Sequence, residues 1–293
     1  MKKILVPTDF SEFSGHAFHL ACQMAETAEA EVITLHVLDL AGFIDFSAAG
    51  NSYTMLGAGA GLGFDETMME NLMETAKEKM SEFIGKYHPY PNKPVTEHIE
   101  FGNAYQYIIG FAKENHVDLI VMGSKGSGGL EEFLVGSNTE KVVRHAKCPV
   151  LTVKRPVEFS QIKDLVFGSD FTEEYACIAT ELLKIQKIFN AKIHLVRVNT
   201  PNSFVSTRES TKLMKDFVAK HHIENYTINI YDAHVEEDGI VHFAQDIDTG
   251  MIAIATHGRT GIMHLLSGSI AEDVVNNARR PVWTFKLRQA KEQ

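Results

Sequence analysis

The sequence is written twice. ILVPTDFSE at residues 4–12 returns as LVFGSDFTE at 165–173, an offset of 161 that sets Asp9 against Asp170 and, further on, Val37 against Val198. GSKGSGGLEEFLVGSNTEKVVRHAKCPVLTVK then returns as ATHGRTGIMHLLSGSIAEDVVNNARRPVWTFK at an offset of 132. That second match pairs Gly126 with Gly258, Gly136 with Gly268, Ser137 with Ser269 and Pro149 with Pro281. Two matches of this length, in order, are not a chance event, and the chain must fold as two copies of one architecture. The units are expected at 1–154 and 163–288, joined by RPVEFSQI, and 293 residues leave each enough length to bury its own core. Because the offset falls by 29 residues, repeat one holds material that repeat two lacks. Most of it is assigned to residues 41–64 and the start of the following helix.

Inside a unit, strand and helix patterns alternate. Residues 3–8 predict a short buried strand ending at Asp9, and 10–28 a helix with Phe13, Ala17, Leu20, Ala21, Met24 and Ala25 along one face. A β-branched and leucine-rich strand follows at 32–38, then a helix at 66–87, a strand at 95–101, a helix at 105–114 and a strand at 117–123. A helix opening at Ser137, with Val142, Val143 and Ala146 on its apolar face, leads through Pro149 into a last strand, PVLTV. Continuous apolar strands alternating with helices indicate the α/β class, a parallel sheet covered by helices on both faces.

The bulk chemistry narrows the partners. Asp and Glu outnumber Lys and Arg by 38 to 28, a net charge of −10, which argues against nucleic acid or an acidic membrane surface. A small anion held by backbone amides escapes that argument. Cys22, Cys148 and Cys177 are odd in number and lack CxxC spacing, which disfavours both a disulfide framework and a zinc site. MKKILVPTDF reads as a strand rather than a signal peptide, and no apolar run reaches membrane-spanning length, so a cytoplasmic protein without membrane insertion is expected.

Gly123, Gly126, Gly128, Gly129 and Gly136 crowd the connection between the fourth strand and the next helix. Glycine permits close backbone approach, and the free N–H groups of a helix start point at whatever lies there, so the stretch is a candidate anion site. It also reads as a well-capped connection, because Ser137-Asn138-Thr139-Glu140 spells a capping box that needs no ligand. Open parallel sheets bind ligands beyond the carboxyl ends of their strands, where strand order reverses. With order 3-2-1-4-5, Asp9 and Gly123 are neighbours at that point. Asp9 then accepts from a sugar hydroxyl or an amino group, unless it serves only as a helix cap or turn residue. The loop 126–136 and the helix start at Ser137 can wrap phosphates, while Lys125 either joins them or stays solvated.

Gly123-x2-Gly126-x9-Gly136-Ser137, after V-P-x-D at the N-terminus and before CPVLTV, resembles the ATP-binding type of the universal stress protein family. The resemblance spans nearly the whole chain, once per repeat. It implies a five-stranded parallel sheet of order 3-2-1-4-5 in each unit, an adenine nucleotide alpha hydrolase-like fold. It implies that the aspartate ending strand one contacts the nucleoside, that Val37 contacts adenine through its backbone, and that the motif glycines and serine hold ribose and phosphates. The first site would be Asp9, Val37, Gly123, Gly126, Gly136, Ser137 and Asn138, with ATP, AMP or ADP as ligand and Mg²⁺ as an optional companion. The matching second set is Asp170, Val198, Ala255, Gly258, Gly268, Ser269 and Ile270.

The second repeat departs from the pattern. Ala255 replaces the first motif glycine and Gly168 replaces Pro7. An alanine forced to positive φ costs on the order of 1 kcal/mol, and its methyl crowds a ligand, so the second site is expected to be weaker or empty. Arg259 would compensate in part. The resemblance also implies pairing through the last strands, PVLTVKR and PVWTFKLR, here as an intramolecular pseudo-dimer, with a homodimer of whole chains as a further option.

Residues 41–64 are glycine-rich, nearly uncharged and carry Phe43, Ile44, Phe46, Tyr53, Met55 and Leu56, too polar a mix for a membrane helix. They emerge on the ligand side, as a lid, a partner surface or a plain variable loop. His16 and His19 lie three apart, and His221 and His222 are adjacent. Neither pair has a third ligand at a convincing spacing, so no metal site is expected. Met68, Met69, Met73 and Met80 read as packing residues. The chain has no GxxxxGK[ST] loop, GxSxG turn or metal-holding carboxylate pair, so any ATP hydrolysis should be slow. The function expected is a nucleotide-responsive module read by a regulatory protein partner. The alternatives are a slow ATPase or nucleotidyl-transfer enzyme, and a scaffold that binds no nucleotide.

Overall fold

The computed structural model describes residues 1–39, 66–124, 135–171, 176–256 and 267–286. The apolar runs form strands and the helically spaced segments form helices. In order these are β1 (Lys3–Pro7), α1 (Glu12–Ala28), β2 (Glu31–Leu38), α2 (Glu66–Tyr87), β3 (Thr96–Phe101), α3 (Ala104–Glu114), β4 (Leu119–Gly123), α4 (Ser137–His145) and β5 (Val150–Val153). After a 3₁₀ turn at Phe159–Gln161 the series recurs as β6 (Asp164–Gly168), α5 (Ala176–Phe189), β7 (Lys192–Asn199), α6 (Thr207–His221) and β8 (Tyr226–Asp232). It finishes with α7 (Glu236–Asp246), β9 (Met251–Thr256), α8 (Ser267–Asn277) and β10 (Val282–Lys286).

The ten strands of the described residues share one sheet, in the order β3-β2-β1-β4-β5-β10-β9-β6-β7-β8. Each half is the 3-2-1-4-5 arrangement with parallel pairs, and the halves meet at an antiparallel seam between β5 and β10. At the seam Trp283 lies opposite Leu151, and two buried threonines exchange roles: Thr152 donates to the Val282 carbonyl (3.3 Å) and Thr284 to the Val150 carbonyl (3.2 Å). Each last strand thus covers the edge that the other would expose.

Side chains alternate between the two faces of the sheet. Ile4, Val6, Leu119 and Val121 belong to one buried cluster with Phe18, Leu20 and Met24 of α1, and the same cluster continues into the second repeat through Leu182, Ile185 and Phe217. Leu5, Ile33, Ile120 and Val150 belong on the other face to a second buried cluster with Phe111 and Val142, which continues into the second repeat through Ile240 and Val274. Each core layer therefore runs through both repeats. Cys22 is buried in the first layer, where desolvation pushes its thiol up to about 12. Neither Cys22 nor Cys148 forms a disulfide among the described residues.

One boundary differs from the sequence reading. α1 starts at Glu12 rather than Phe10, because Phe10 adopts a left-handed conformation (φ 63°) and Ser11 caps the helix through Ser14 N–H (3.3 Å). Part of the extra length of repeat one lies in helix α2, 22 residues against 15 in α6. Residues 41–64 lie outside the described part. The linker is fastened to α1: Gln23 donates to Glu158 (2.6 Å) and accepts from Phe159 N–H (2.8 Å). The Gln23 hydrogen bond holds the Glu158 carboxyl below its usual range, against the opposing effect of desolvation and with a smaller contribution from His19.

Candidate functional site

β1 ends in a tightly bonded turn. Thr8 is buried; its N–H donates to Leu35 (2.8 Å) and its Oγ1 accepts from Phe10 N–H (3.0 Å). The left-handed Phe10 lays its ring against His36 (centroids 4.2 Å apart) and Phe83 (5.9 Å), and these contacts offset a backbone cost of roughly 1–2 kcal/mol. Asp9 Oδ1 accepts from Ser11 N–H (3.1 Å) and Ser11 Oγ–H (2.6 Å), so the carboxylate holds the turn that leads into α1. His36 Nδ1 stands 2.8 Å from the Thr8 carbonyl, which only accepts, so the neutral ring carries its proton on Nδ1. Burial holds the His36 pKa below its usual value, against the upward pull of the Thr8 carbonyl and Asp9.

Val37 is placed by the ladder. Pro7 is in register with Leu35, whose carbonyl receives Thr8 N–H, so Leu35 turns its backbone groups towards β1. Backbone direction alternates along a strand, and Leu38 turns the other way, accepting from Gly102 N–H (3.0 Å). Val37 therefore presents its N–H and C=O to the β1 side, two residues beyond the last β1 partner.

β4 and α4 supply the other wall. A Cβ on Gly123 would lie 2.7 Å from the Phe13 carbonyl carbon, so glycine here admits the backbone of α1. Ser124 is fully buried; its N–H donates to Val153 (3.1 Å) and its carbonyl accepts from Gly136 N–H (2.7 Å), which closes the stem of the glycine loop. Thr139 Oγ1 ties the helix to the Gly123 carbonyl (2.9 Å). The expected capping box does not form. Gly136 (φ −63°, ψ 142°) is the N-cap and Ser137 the first helical residue, one position too late to cap, and Glu140 N–H bonds the Gly136 carbonyl (3.0 Å). With no side-chain cap among the described residues, the amides of Ser137, Asn138 and Thr139 lack an acceptor within the helix and stand at the positive end of its dipole.

β2, β1 and β4 are neighbours, so Val37, Asp9 and the root of α4 stand at three adjacent carboxyl ends. Gly126 and Lys125 lie outside the described residues. His19, set aside as a possible metal ligand, has protein partners in the Tyr87 carbonyl (3.2 Å) and Glu158 (3.4 Å).

The second repeat rebuilds the same turn. Ser169 N–H donates to Val196 (3.2 Å), Phe171 N–H to Ser169 Oγ (3.1 Å), and Phe171 is left-handed (φ 59°). Val198 lies two residues beyond Val196, as Val37 does beyond Leu35, and Asp170 lies two residues past the end of β6. Ala255 sits within β9, in register with Phe285, and is not among the positive-φ residues, so the backbone cost expected there does not arise. At the equivalent Gly123 the tight approach is to the backbone of α1, whereas the helix after β6 is described only from Ala176. Gly168 replaces Pro7 where a Cβ would lie 2.6 Å from Ile240. Gly268, Ser269 and Ile270 belong to the first turns of α8; Gly258 and Arg259 lie outside the described residues.

Sequence reasoning passed over one pair. The offset of 161 aligns His36 with Arg197, a substitution visible in the repeat but carried by no motif. Arg197 is buried, donates to the Asp170 carbonyl (2.5 Å), and its Nε has no partner among the described residues. A neutral imidazole in one crevice floor thus becomes a permanent cation in the other.

The sequence model of the Universal stress protein family matches residues 1–154 and again 162–286. Universal stress protein MJ0531 of Methanocaldococcus jannaschii is 36% identical over 155 residues, 53% of this chain and 83% of that protein. Universal stress protein Slr1230 of Synechocystis is 23% identical over 300 residues, 98% of this chain and all of that one. Among solved structures, a universal stress protein from Archaeoglobus fulgidus superposes over 98% of both chains with a TM-score of 0.69 at 21% identity, a likeness of fold.

Proposed function

The chain belongs to the universal stress protein family as a tandem of two such units, and on that premise we propose that its first repeat binds an adenine nucleotide and works as a nucleotide-responsive regulatory module. The units are taken as 1–154 and 163–288, acting in the cytoplasm. The observation that carries the reading is the uncapped start of α4, whose first amides point out of the helix beside the ends of β4 and β1. A phosphate tail suits it: each amide bond to an anion contributes roughly 1.5–3 kcal/mol. The backbone groups of Val37 offer a donor and an acceptor to an adenine edge, and Asp9 offers acceptor positions to a ribose hydroxyl. ATP is the preferred ligand, and Mg²⁺, where present, arrives on its phosphates. The second repeat would hold the matching, weaker site with Asp170, Val198, Ala255, Gly258, Gly268, Ser269 and Ile270. There Ile270 replaces the amide side chain of Asn138, and the affinity is lower. A partner protein reads the liganded surface.

Titration calorimetry of the full chain with ATP, AMP and adenosine tests this. The expected order of affinity is ATP, then AMP, then adenosine, with Asp9→Ala weakening all three. A folded protein that gives neither heat nor a thermal shift with ATP overturns the reading.

A further inference from the structure

The second repeat reaches the root of the first repeat's crevice. Asn276, near the end of α8, sets its Oδ1 3.4 Å from the amide nitrogen of Val135, 141 positions away in the chain. Val135 offers an N–H, so the facing atom has to be the carboxamide oxygen, which fixes the orientation of the side chain. The next amide, Gly136 N–H, goes to the Ser124 carbonyl (2.7 Å). Two consecutive amides are therefore held from two directions, one by the end of β4 and one by the other repeat. The amides that follow them open α4.

α8 is itself fixed against the first repeat. Lys154 Nζ donates to the Asn276 carbonyl (2.5 Å), and Arg144 grips Glu272 through Nε (2.7 Å) and Nη2 (2.5 Å). The arrangement is unequal. The offset of 132 makes Arg144 the counterpart of Asn276 and Glu140 that of Glu272. Arg144 joins Glu272 and Glu140 (3.2 Å) in a helix-to-helix clasp, whereas Asn276 passes α4 and engages the main chain ahead of it.

We propose that Asn276 is a positioning residue for the phosphate-facing start of α4, so that the second repeat sets part of the affinity of the first. This rests on the nucleotide reading given above. A contact of 3.4 Å is long for a hydrogen bond, and its effect is on the aim of the following N–H groups rather than on stability. Backbone donors lose an anion quickly when the helix start swings away, and a nucleoside without phosphates does not feel the change.

The test uses the full chain carrying Asn276→Ala, beside Arg144→Ala. Asn276→Ala is expected to weaken ATP about threefold to tenfold while leaving adenosine within about twofold, the span of one ordinary hydrogen bond. Arg144→Ala is expected to lower the melting temperature without separating ATP from adenosine. Hydrogen exchange of the unliganded protein adds a readout that needs no nucleotide: the Val135 and Gly136 amides should exchange faster in Asn276→Ala. Unchanged exchange at both amides overturns the proposal, as does faster exchange with ATP affinity intact, or an equal loss of ATP and adenosine. Faster exchange in a protein whose wild type binds no nucleotide leaves the brace in place and removes the nucleotide reading instead.

Discussion

Gly123 ends β4 with the backbone of α1 in the space where its side chain would be. Gly123→Ala pushes a methyl against the Phe13 carbonyl and the Ser14 amide, which are main-chain atoms that cannot rotate away. It should cost about 1–3 kcal/mol, the usual range for overpacking, measured by urea unfolding. The reverse change, Ala255→Gly, should cost no more than about 1 kcal/mol, the usual penalty for glycine in place of alanine inside a strand. His36 gives a pH dependence. Its folded pKa lies below the ordinary 6.5, because burial disfavours the charged ring. The unfolded chain therefore binds the proton first as pH falls. The stability that depends on a neutral ring is complete above 6.5, declines as pH drops below it, and levels off once the folded pKa is passed. His16, His194 and His221 are lowered too, so the informative quantity is a difference: His36→Gln should show a shallower loss between neutral and mildly acid pH than wild type in chemical denaturation. These residue-level facts were the least legible in the sequence. The offset of 161 aligns His36 with Arg197, yet nothing in either segment says which neighbour buries the ring. Gly123 stood out as a motif glycine, but its reason, the closeness of α1, is a tertiary one.

Among the elements, the strands and helices of the first repeat were legible almost to their ends. Runs such as LIVMG and VLTV are buried on both faces and admit no other reading. Caps were not legible. Ser137 and Glu140 have capping-box spacing, and Phe10 fits the period of α1, yet each helix begins where the backbone leaves the extended or left-handed region, which residue type alone does not fix. At α4 that shift of one residue leaves glycine as the cap, and an experiment follows. Gly136 has backbone angles open to any residue (φ −63°, ψ 142°), so Gly136→Asp supplies the missing side-chain acceptor without backbone strain. The unliganded protein should hold its stability or gain a few tenths of a kcal/mol, since glycine is only slightly worse than aspartate as a cap. ATP should then bind at least about tenfold more weakly, because the new carboxylate occupies the amides and repels the phosphates. Stability and affinity moving together would show that α4 does not face the nucleotide.

On the scale of the whole molecule, the seam decides what the repeats can do apart and together. β5 and β10 lie at the centre of a ten-stranded sheet, and their pairing is nearly self-complementary: Thr152 and Thr284 play the same part on opposite strands, and Leu151 meets Trp283. In the intact chain this edge is already filled, so two whole chains cannot associate through it. A polypeptide of residues 1–154 alone would expose the β5 backbone together with apolar atoms of Leu151 and Val153. A second copy offers the surface that repeat two now supplies, and a two-fold axis through the seam satisfies both copies at once. Sedimentation of that fragment should give a dimer, and Leu151→Lys should shift it to monomer or aggregate by placing a charge on the paired edge. The intact chain reports on the same seam through its one tryptophan, Trp283, which is buried there. Because both core layers cross the repeat boundary, tryptophan fluorescence and far-ultraviolet dichroism should follow a single urea transition. A fluorescence change that precedes the loss of helix would mean that the halves separate before they unfold, and the seam would then be a weak contact rather than the centre of the sheet.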